Sequence, residues 1–468
     1  MSETAEGFVL AIDNGSQSTK VLIVDGSGSV HASARVALRP YSTPAPGRWE
    51  HPDDDLWDSI VVAVRAALDD FDGDPAEIRG VGLCTIRFCR AVLRADGSLA
   101  QPIMSWMDER LPRAYERETD DSVYVTTSSG YLGHRLTGER RDAAGNYQGM
   151  WPIDTRHWAW SDDPAEYARC GMEPGMLFDL VAPGEQLGTL TAEVAATTGL
   201  PEGLPVFATS NDKAVEALGA GLRDEGDALL SLGTYVATMT PGPQPIDAHP
   251  DVWTNFASEP GRYLYESGGV RRGMWTVSWF RDLVSPLGAE VSEDELNSGA
   301  ELVPAGAGGL VAALDWLAPA DEPWRRGALV GFDGTQGRFH VYRAILEALA
   351  IETETGDARA RVALGRPRGT LVVTGGGSGS ELMLQILAAV YGVPVRTPLV
   401  RDAAGMGAAI CAAVGAGIHP DWGSAVASMV RVGARVEVDP VLAEAYAEVR
   451  ATYARVLPRV RMLFADED

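Results

Sequence analysis

The chain begins the same way twice. Residues 8–12 form an apolar run that stops at Asp13-Asn14-Gly15-Ser16, and residues 20–24 run back from that turn toward Asp25-Gly26. Near mid-chain, Ala228-Leu229-Leu230-Ser231-Leu232 leads into Gly233-Thr234 and a β-branched return over residues 235–240. Each is a strand, a polar glycine turn and a returning strand, so the sequence predicts two similar α/β halves. A chain of 468 residues with 46% hydrophobic content has the material for more than one core, since domains usually take ~100–200 residues.

Between and after the hairpins, helical and strand patterns alternate. The spacing predicts a helix over 54–69, strands over 78–84 and 91–94, a long helix over 339–355, a buried strand over 369–374 and a helix over 381–391. The run Thr240-Pro241-Gly242-Pro243-Gln244-Pro245 reads as the linker, which divides the chain into 1–240 and 241–468.

A formal net charge of -26 argues against nucleic acid and anionic membrane as partners, because both require an electropositive surface. A nucleotide stays compatible, since surface charge is screened over ~8 Å at physiological salt and a site can supply its own backbone donors. Only Lys20 and Lys213 among the 39 basic residues are lysines, and neither follows a glycine. A P-loop, which needs Gly-Lys-Ser/Thr, is therefore excluded. Glu3 and Glu6 stand where a secretory signal would be basic, and Cys84, Cys89, Cys170 and Cys411 make no CxxC pair. Both point to a cytoplasmic protein.

Several segments carry candidate chemistry. Asp13 ends a buried strand, where a carboxylate can hold Mg2+ through water. The following turn, Asn14, Gly15, Ser16, Gln17, Ser18 and Lys20, offers amides, hydroxyls and a cation to phosphate. The same pattern also suits a hairpin whose Asp braces only its own backbone. Asp212 in Thr209-Ser210-Asn211-Asp212-Lys213 lies between a strand and a helix; it is either an N-cap worth ~0.5–2 kcal/mol or a base for an acceptor hydroxyl. Gly375, Gly376 and Gly377 follow a strand and can bring backbone close to a base or ribose, or form a simple turn. Trp106-Met107-Asp108-Glu109-Arg110 joins an aromatic face to a carboxylate and a guanidinium, which suits a polyhydroxyl ligand and equally a buried Trp beside a surface ion pair. Arg87 ends a strand, and Trp49 with Glu50 adds further polar and aromatic groups.

Taken in order, these segments resemble the FGGY family of carbohydrate kinases. The most specific stretch is Gly327-Ala328-Leu329-Val330-Gly331-Phe332 followed by His340-Val341-Tyr342-Arg343-Ala344-Ile345-Leu346-Glu347, similar to the family's C-terminal signature. Asp13-Asn14-Gly15-Ser16 and Ser231-Leu232-Gly233-Thr234 resemble its two phosphate motifs, Leu136-Thr137-Gly138 with Asp142 its Leu-Thr-Gly stretch, Gly375-Gly376-Gly377 with Gln385 its adenosine motif, and residues 401–409 its closing Gly-Ala-Ala helix. The resemblance implies an α/β fold of two actin-like, ribonuclease-H-like ATPase domains with a central cleft. It implies ATP and Mg2+ as cofactors, with Asp13 at the metal and Asn14, Gly15, Ser16, Gln17, Ser18, Lys20, Gly233, Thr234, Gly375, Gly376 and Gly377 around the nucleotide. Arg87, Trp106, Asp108, Arg110 and Asp212 would meet the acceptor, with Asp212 as catalytic base.

The implied reaction is transfer of the γ-phosphate of ATP to a hydroxyl of a small sugar or polyol, a ketopentose such as xylulose or a related ketose; the alternative is a degenerate sensor of sugar or nucleotide. A homodimer is left open. Departures from the family pattern are a short 110–136 segment without a Lys-x-x-Trp, Phe88 after Arg87 where glycerol kinases carry Glu, Lys213 in place of the more familiar Gln, and Ala318-Pro319-Ala320-Asp321-Glu322-Pro323 in place of Gly-Glu-Arg-x-Pro.

Overall fold

The computed structural model describes residues 7–246, 248–286, 289–319 and 322–465; Ala320 and Asp321 of the divergent loop, and Glu3 and Glu6, lie outside them. Phe8–Asn14 and Ser18–Asp25 pair antiparallel with Asp13 opposite Lys20, and Ala228–Leu232 pairs with Val236–Gly242 in the same sense. Each hairpin sits inside a larger sheet. The first runs Gln186–Thr189, Pro205–Ala208, Ile78–Thr85, Phe8–Asn14, Ser18–Asp25, Val30–Ala37. The second runs Val432–Val436, Val395–Pro398, Leu371–Thr374, Ala228–Leu232, Val236–Gly242, Tyr263–Ser267, Val252–Phe256.

Read in these directions, both sheets pair antiparallel, parallel, parallel, antiparallel, antiparallel, and the second adds one further antiparallel edge strand. The repeated hairpin is thus the visible part of a whole duplicated sheet. The boundary expected near residue 240 is corrected by the pairing: Pro241 lies opposite Leu264 within Val236–Gly242, so the Pro-rich run begins in a strand of the second sheet and not in a linker. The sheets change earlier, between Ala208 and Ala228.

The first sheet is covered by an amphipathic helix, and the second by one buried on all sides over residues 341–351. Leu56, Ile60 and Val64 of Asp55–Asp69 enter the first core, and Val341, Ile345 and Leu349 of Arg338–Leu364 enter the second. The second helix extends beyond the expected 339–355 because its polar tail is stitched internally, with Arg361 paired to Asp357 at 2.9 Å and Gly365 in the left-handed conformation closing it. In the signature segment, Arg343 pairs with Glu347 at 2.9 Å and bonds the Ala300 carbonyl and Tyr446 hydroxyl. Those residues pin the second core. Among the described residues no helix is long and apolar enough to cross a membrane, and all four cysteines are buried and unpaired.

Two helices cross between the halves. Asp212–Gly219 follows a strand of the first sheet, yet its Ala214 and Ala217 pack with Leu229, Met239 and Val372 of the second. Ala403–Gly415 follows a strand of the second sheet, yet Ala408, Ala409 and Ala412 pack with Val9, Ala11 and Cys84 of the first. Backbone touches backbone where they meet. A Cβ on Gly407 would lie 1.9 Å from the Val215 carbonyl oxygen, and one on Gly219 would lie 1.9 Å from that of Ala403. Small residues are therefore obligatory there, which explains the Gly/Ala bias of the tract over 403–418. Gly407→Ala is expected to cost about 1–3 kcal/mol by overpacking, read as a lowered urea midpoint. Gly175→Ala, whose new methyl meets nothing within 4 Å, should stay within about 0.5 kcal/mol of the parent.

Candidate active site

The first turn is held from below by its own side chains. The Gly15 amide donates to the Ser18 carbonyl at 3.1 Å, the buried Asn14 amide donates to Thr19 Oγ1 at 2.6 Å, and Ser18 Oγ accepts from Arg35 at 3.1 Å. The side chains of Asn14 and Ser18, expected at phosphate, are thus committed to the fold, while the segment Gly15, Ser16 and Gln17 stays open. Lys20 bonds Asp13 at 3.1 Å and Asp402 at 3.4 Å. Asp402 also caps Ala403–Gly415 through the Gly405 amide, so one ammonium ties the first strand to the crossing helix. Burial pushes the Asp13 carboxyl up to about 6, with Lys20 opposing and Asp402 and Asp212 adding to the rise.

Asp212 does not cap its helix. Asn211 does, its Oδ1 accepting from Ala214 at 3.2 Å while its amide donates to the Gly145 carbonyl and to Asn255. This leaves the Asp212 carboxylate with the Lys213 amide at 2.9 Å and Arg87 Nε at 3.9 Å, its side chain still 26% exposed. Burial raises it above the ordinary carboxylate value, against the pull of Arg87 and Lys213. Lys213 is neither solvated nor free: its Nζ bonds Glu216 at 2.8 Å and Ser231 at 2.7 Å. Glu216 in turn accepts from Thr374 at 2.6 Å, and despite burial these donors hold it below the usual range.

The second turn seats a helix. The Gly233 and Thr234 carbonyls accept from Met274 and Gly273, at the start of Gly273–Val284. Gly375, at φ 82°, lies so close that a Cβ would stand 2.4 Å from the Leu232 carbonyl oxygen, and a Cβ on Gly377 would stand 2.9 Å from Met274 Sδ. Gly376 faces open space. The glycine run and the second turn therefore form one surface of exposed backbone.

On the other side, the five-residue segment splits. Trp106 is 40% exposed. The Asp108 carboxylate is sealed, its side chain 0% exposed, accepting from Arg110 and from the Trp49 amide. Arg110 is spent on Asp108 at 2.7 Å, Glu50 at 2.6 Å and Glu118 at 3.2 Å. The expectation that Asp108 and Arg110 face a ligand is corrected: they brace the loop that displays Trp106, because a guanidinium beside three carboxylates is neutralised locally.

Arg87 reaches the opposite half, donating Nη1 and Nη2 to Glu266 at 2.8 and 2.9 Å. The Phe88 and Trp253 rings lie 5.1 and 5.3 Å from its guanidinium carbon. Glu266, Trp253 and Asp402 were not legible as site residues. Glu266 and Trp253 sit in ordinary strands, Tyr263–Ser267 and Val252–Phe256; Asp402 stands out in the sequence only as part of residues 401–409, the stretch that resembles the family's closing helix.

Models of the FGGY family of carbohydrate kinases match this chain, the N-terminal domain over 8–121 and 101–219 and the C-terminal domain over 228–416. An Escherichia coli (strain K12) protein described as the uncharacterized sugar kinase YgcE is 44% identical over 432 residues, covering 91% of this chain and 88% of that one. A glycerol kinase of Alkalilimnicola ehrlichii is 28% identical, covering 92% and 94%. The solved xylulose kinase from Rhodospirillum rubrum superposes with a TM-score of 0.82 at 26% identity, covering 97% of this chain and 99% of that one. A gluconate kinase from Lactobacillus acidophilus, 17% identical with a TM-score of 0.85, covering 98% and 99%, shares the two-domain α/β fold.

The Lys20 clasp generates a stability prediction. Lys20→Met leaves Asp13 and Asp402 without their cation and is expected to cost about 1–3 kcal/mol at pH 8, less than a fully buried pair because the lysine side chain is 34% exposed. Asp13 binds its proton more tightly folded than unfolded, and removing the ammonium strengthens that preference. The deficit should therefore shrink as pH falls from 8 toward about 6, where Asp13 of the variant takes up its proton before that of the parent, and level off below about 6, measured as denaturant midpoints of parent and variant between pH 5 and 8.

Proposed function

The chain belongs to the FGGY family of carbohydrate kinases, phosphotransferases with an alcohol group as acceptor, and on that premise we propose that Asp212 is the general base for transfer of the γ-phosphoryl group of ATP to a hydroxyl of a ketopentose such as xylulose, or a related ketose. One observation carries the role of Asp212: a half-buried carboxylate at a helix start, its side chain 26% exposed, that its own helix does not use as a cap, because Asn211 fills that place. The ketose reading is supported by the likeness to the xylulose kinase and by Phe88, which stands against Arg87 where glycerol kinases carry Glu. A cytoplasmic setting suits four buried, unpaired cysteines.

In this reading the acceptor lies against Trp106 with its reactive hydroxyl at Asp212. Asp212 takes the hydroxyl proton as the oxygen attacks the γ-phosphorus, ADP departs, and the carboxylic acid returns its proton to solvent; no phosphoenzyme forms. Backbone around Gly15, Ser16 and Gln17 and around Gly233 and Thr234 holds the phosphates, and Gly375, Gly376 and Gly377 lie along the adenosine. Mg2+ fits this site only as an ion that arrives with its nucleotide: among the described residues no group of three or more ligating side chains could hold a metal, and Mg2+ needs one or two carboxylates when phosphates and water complete its shell. Asp13 would hold it, and the ion would neutralise phosphate charge. Closure of the two halves would keep water from the γ-phosphate.

Asp212 must be ionised to act, and burial raises its pKa. The rate should therefore fall with decreasing pH at an acid limb above the ordinary Asp value of ~3.9. Asp212→Ala is expected to lose ~10^2 to 10^4 in kcat with ATP binding and unfolding midpoint retained, measured by ADP release with ketopentoses, ketohexoses, pentitols, erythritol, glycerol and aldonates. Near-parental turnover would remove Asp212 from the mechanism. For Trp106→Ala, the acceptor KM should rise several-fold while the ATP KM stays within about twofold; equal rises in both would detach Trp106 from the acceptor side.

A further inference from the structure

The cations around Asp212 are already neutralised. Arg87 gives both terminal nitrogens to Glu266 at 2.8 and 2.9 Å and sets Nε 3.9 Å from Asp212. The Phe88 and Trp253 ring centroids lie 5.1 and 5.3 Å from its guanidinium carbon and 6.0 Å from each other, and its side chain is 12% exposed. Lys213 is held by Glu216 and Ser231. Arg110, on the Trp106 loop, is held by Asp108, Glu50 and Glu118. The anions nearby are Asp212 itself, Glu266, Glu216 and Asp13.

We propose that Glu266 is the residue that sets the charge class of the acceptor: reaching from the second sheet to cover the Arg87 guanidinium, it makes the pocket accept an uncharged ketose or polyol and reject a sugar acid. The proposal rests on the kinase reading above and narrows its substrate class. An acceptor hydroxyl needs only one of the remaining N–H groups of Arg87 and the Asp212 carboxylate. A carboxylate-bearing acceptor would compete with Glu266 for the same bidentate edge and meet the negative charge of Asp212, Glu216 and Glu266. Rejection built from like charge is an economical source of specificity, and the bidentate fork of an arginine is the natural partner of either carboxylate.

The test compares xylulose and xylitol with xylonate and gluconate, in the parent and in Glu266→Gln, by ADP release and by calorimetric binding without nucleotide. The glutamine keeps the volume and removes the charge, which frees the guanidinium edge for the acid. The expected parent ratio of kcat/KM, neutral over acid, is ~10^2 or more, and Glu266→Gln should narrow it by roughly 10- to 100-fold, the worth of a charge-assisted hydrogen bond. A parent that uses acids as well as neutral sugars, or a ratio that moves less than about twofold in the variant, overturns the proposal. If no compound is phosphorylated, the ketose kinase reading fails by itself, and calorimetry still decides the charge question: gain of xylonate or gluconate binding in the variant supports it, and no gain overturns it. Glu266→Ala serves the same comparison if the glutamine variant does not fold.

Discussion

The contact on which the rest depends is the crossing of Asp212–Gly219 with Ala403–Gly415, where glycines let one backbone lie on the other. Each helix reaches from the half that made it onto the other sheet. Their starting residues are consequently brought to one place: Asp212 opens one helix and Asp402 caps the other. Lys20, opposite Asp13 in the first hairpin, joins Asp13 to Asp402. The polar centre is thus a product of apolar packing, since the separation of the carboxylates follows from how closely the two helices approach.

The duplication is geometric but not chemical. Asp13 and Ser231 occupy matching places, each before a glycine turn and each beside the parallel strand that carries Cys84 or Thr374. Asn211 and Asp402 likewise cap the two crossing helices. In one copy a lysine from the neighbouring strand balances two aspartates; in the other, Lys213 on the helix itself meets Glu216 and Ser231. The first copy holds a buried carboxylate of raised pKa against its lysine, and the second holds its lysine against a carboxylate kept below the usual range. A symmetric scaffold thereby acquires two turns of different charge environment.

Much was legible because it is local. The strand-turn-strand units, the helix Glu381–Tyr391 and the strand Ile78–Thr85 depend on neighbours a few residues apart, and they stand at the expected residues to within two positions. Asp13 and Asp212 stand out for equally local reasons: one carboxylate ends a strand before a glycine turn, and the other lies between a strand and a helix. The sequence misjudged residues whose role depends on a distant partner. Asp108 and Arg110 looked like ligand groups until Glu50 and Glu118 were seen to saturate the arginine. Pro241 looked like a linker until Leu264 was found opposite it. For Asp212 the sequence left cap and base both open, and Asn211, one residue earlier, fills the cap.

The sequence by itself determined the family, the two-sheet duplication, the absence of a P-loop and the carboxylates that end strands, all of which follow from spacing and residue type along the chain. Only the tertiary structure decided which charges are free and which are spent. Arg87 and Glu266 meet across the cleft between the two sheets, and no periodicity along the backbone encodes that meeting. Electrostatic pairing acts through space over a few ångströms, so the availability of a charged side chain is a property of the folded chain and not of its sequence neighbourhood.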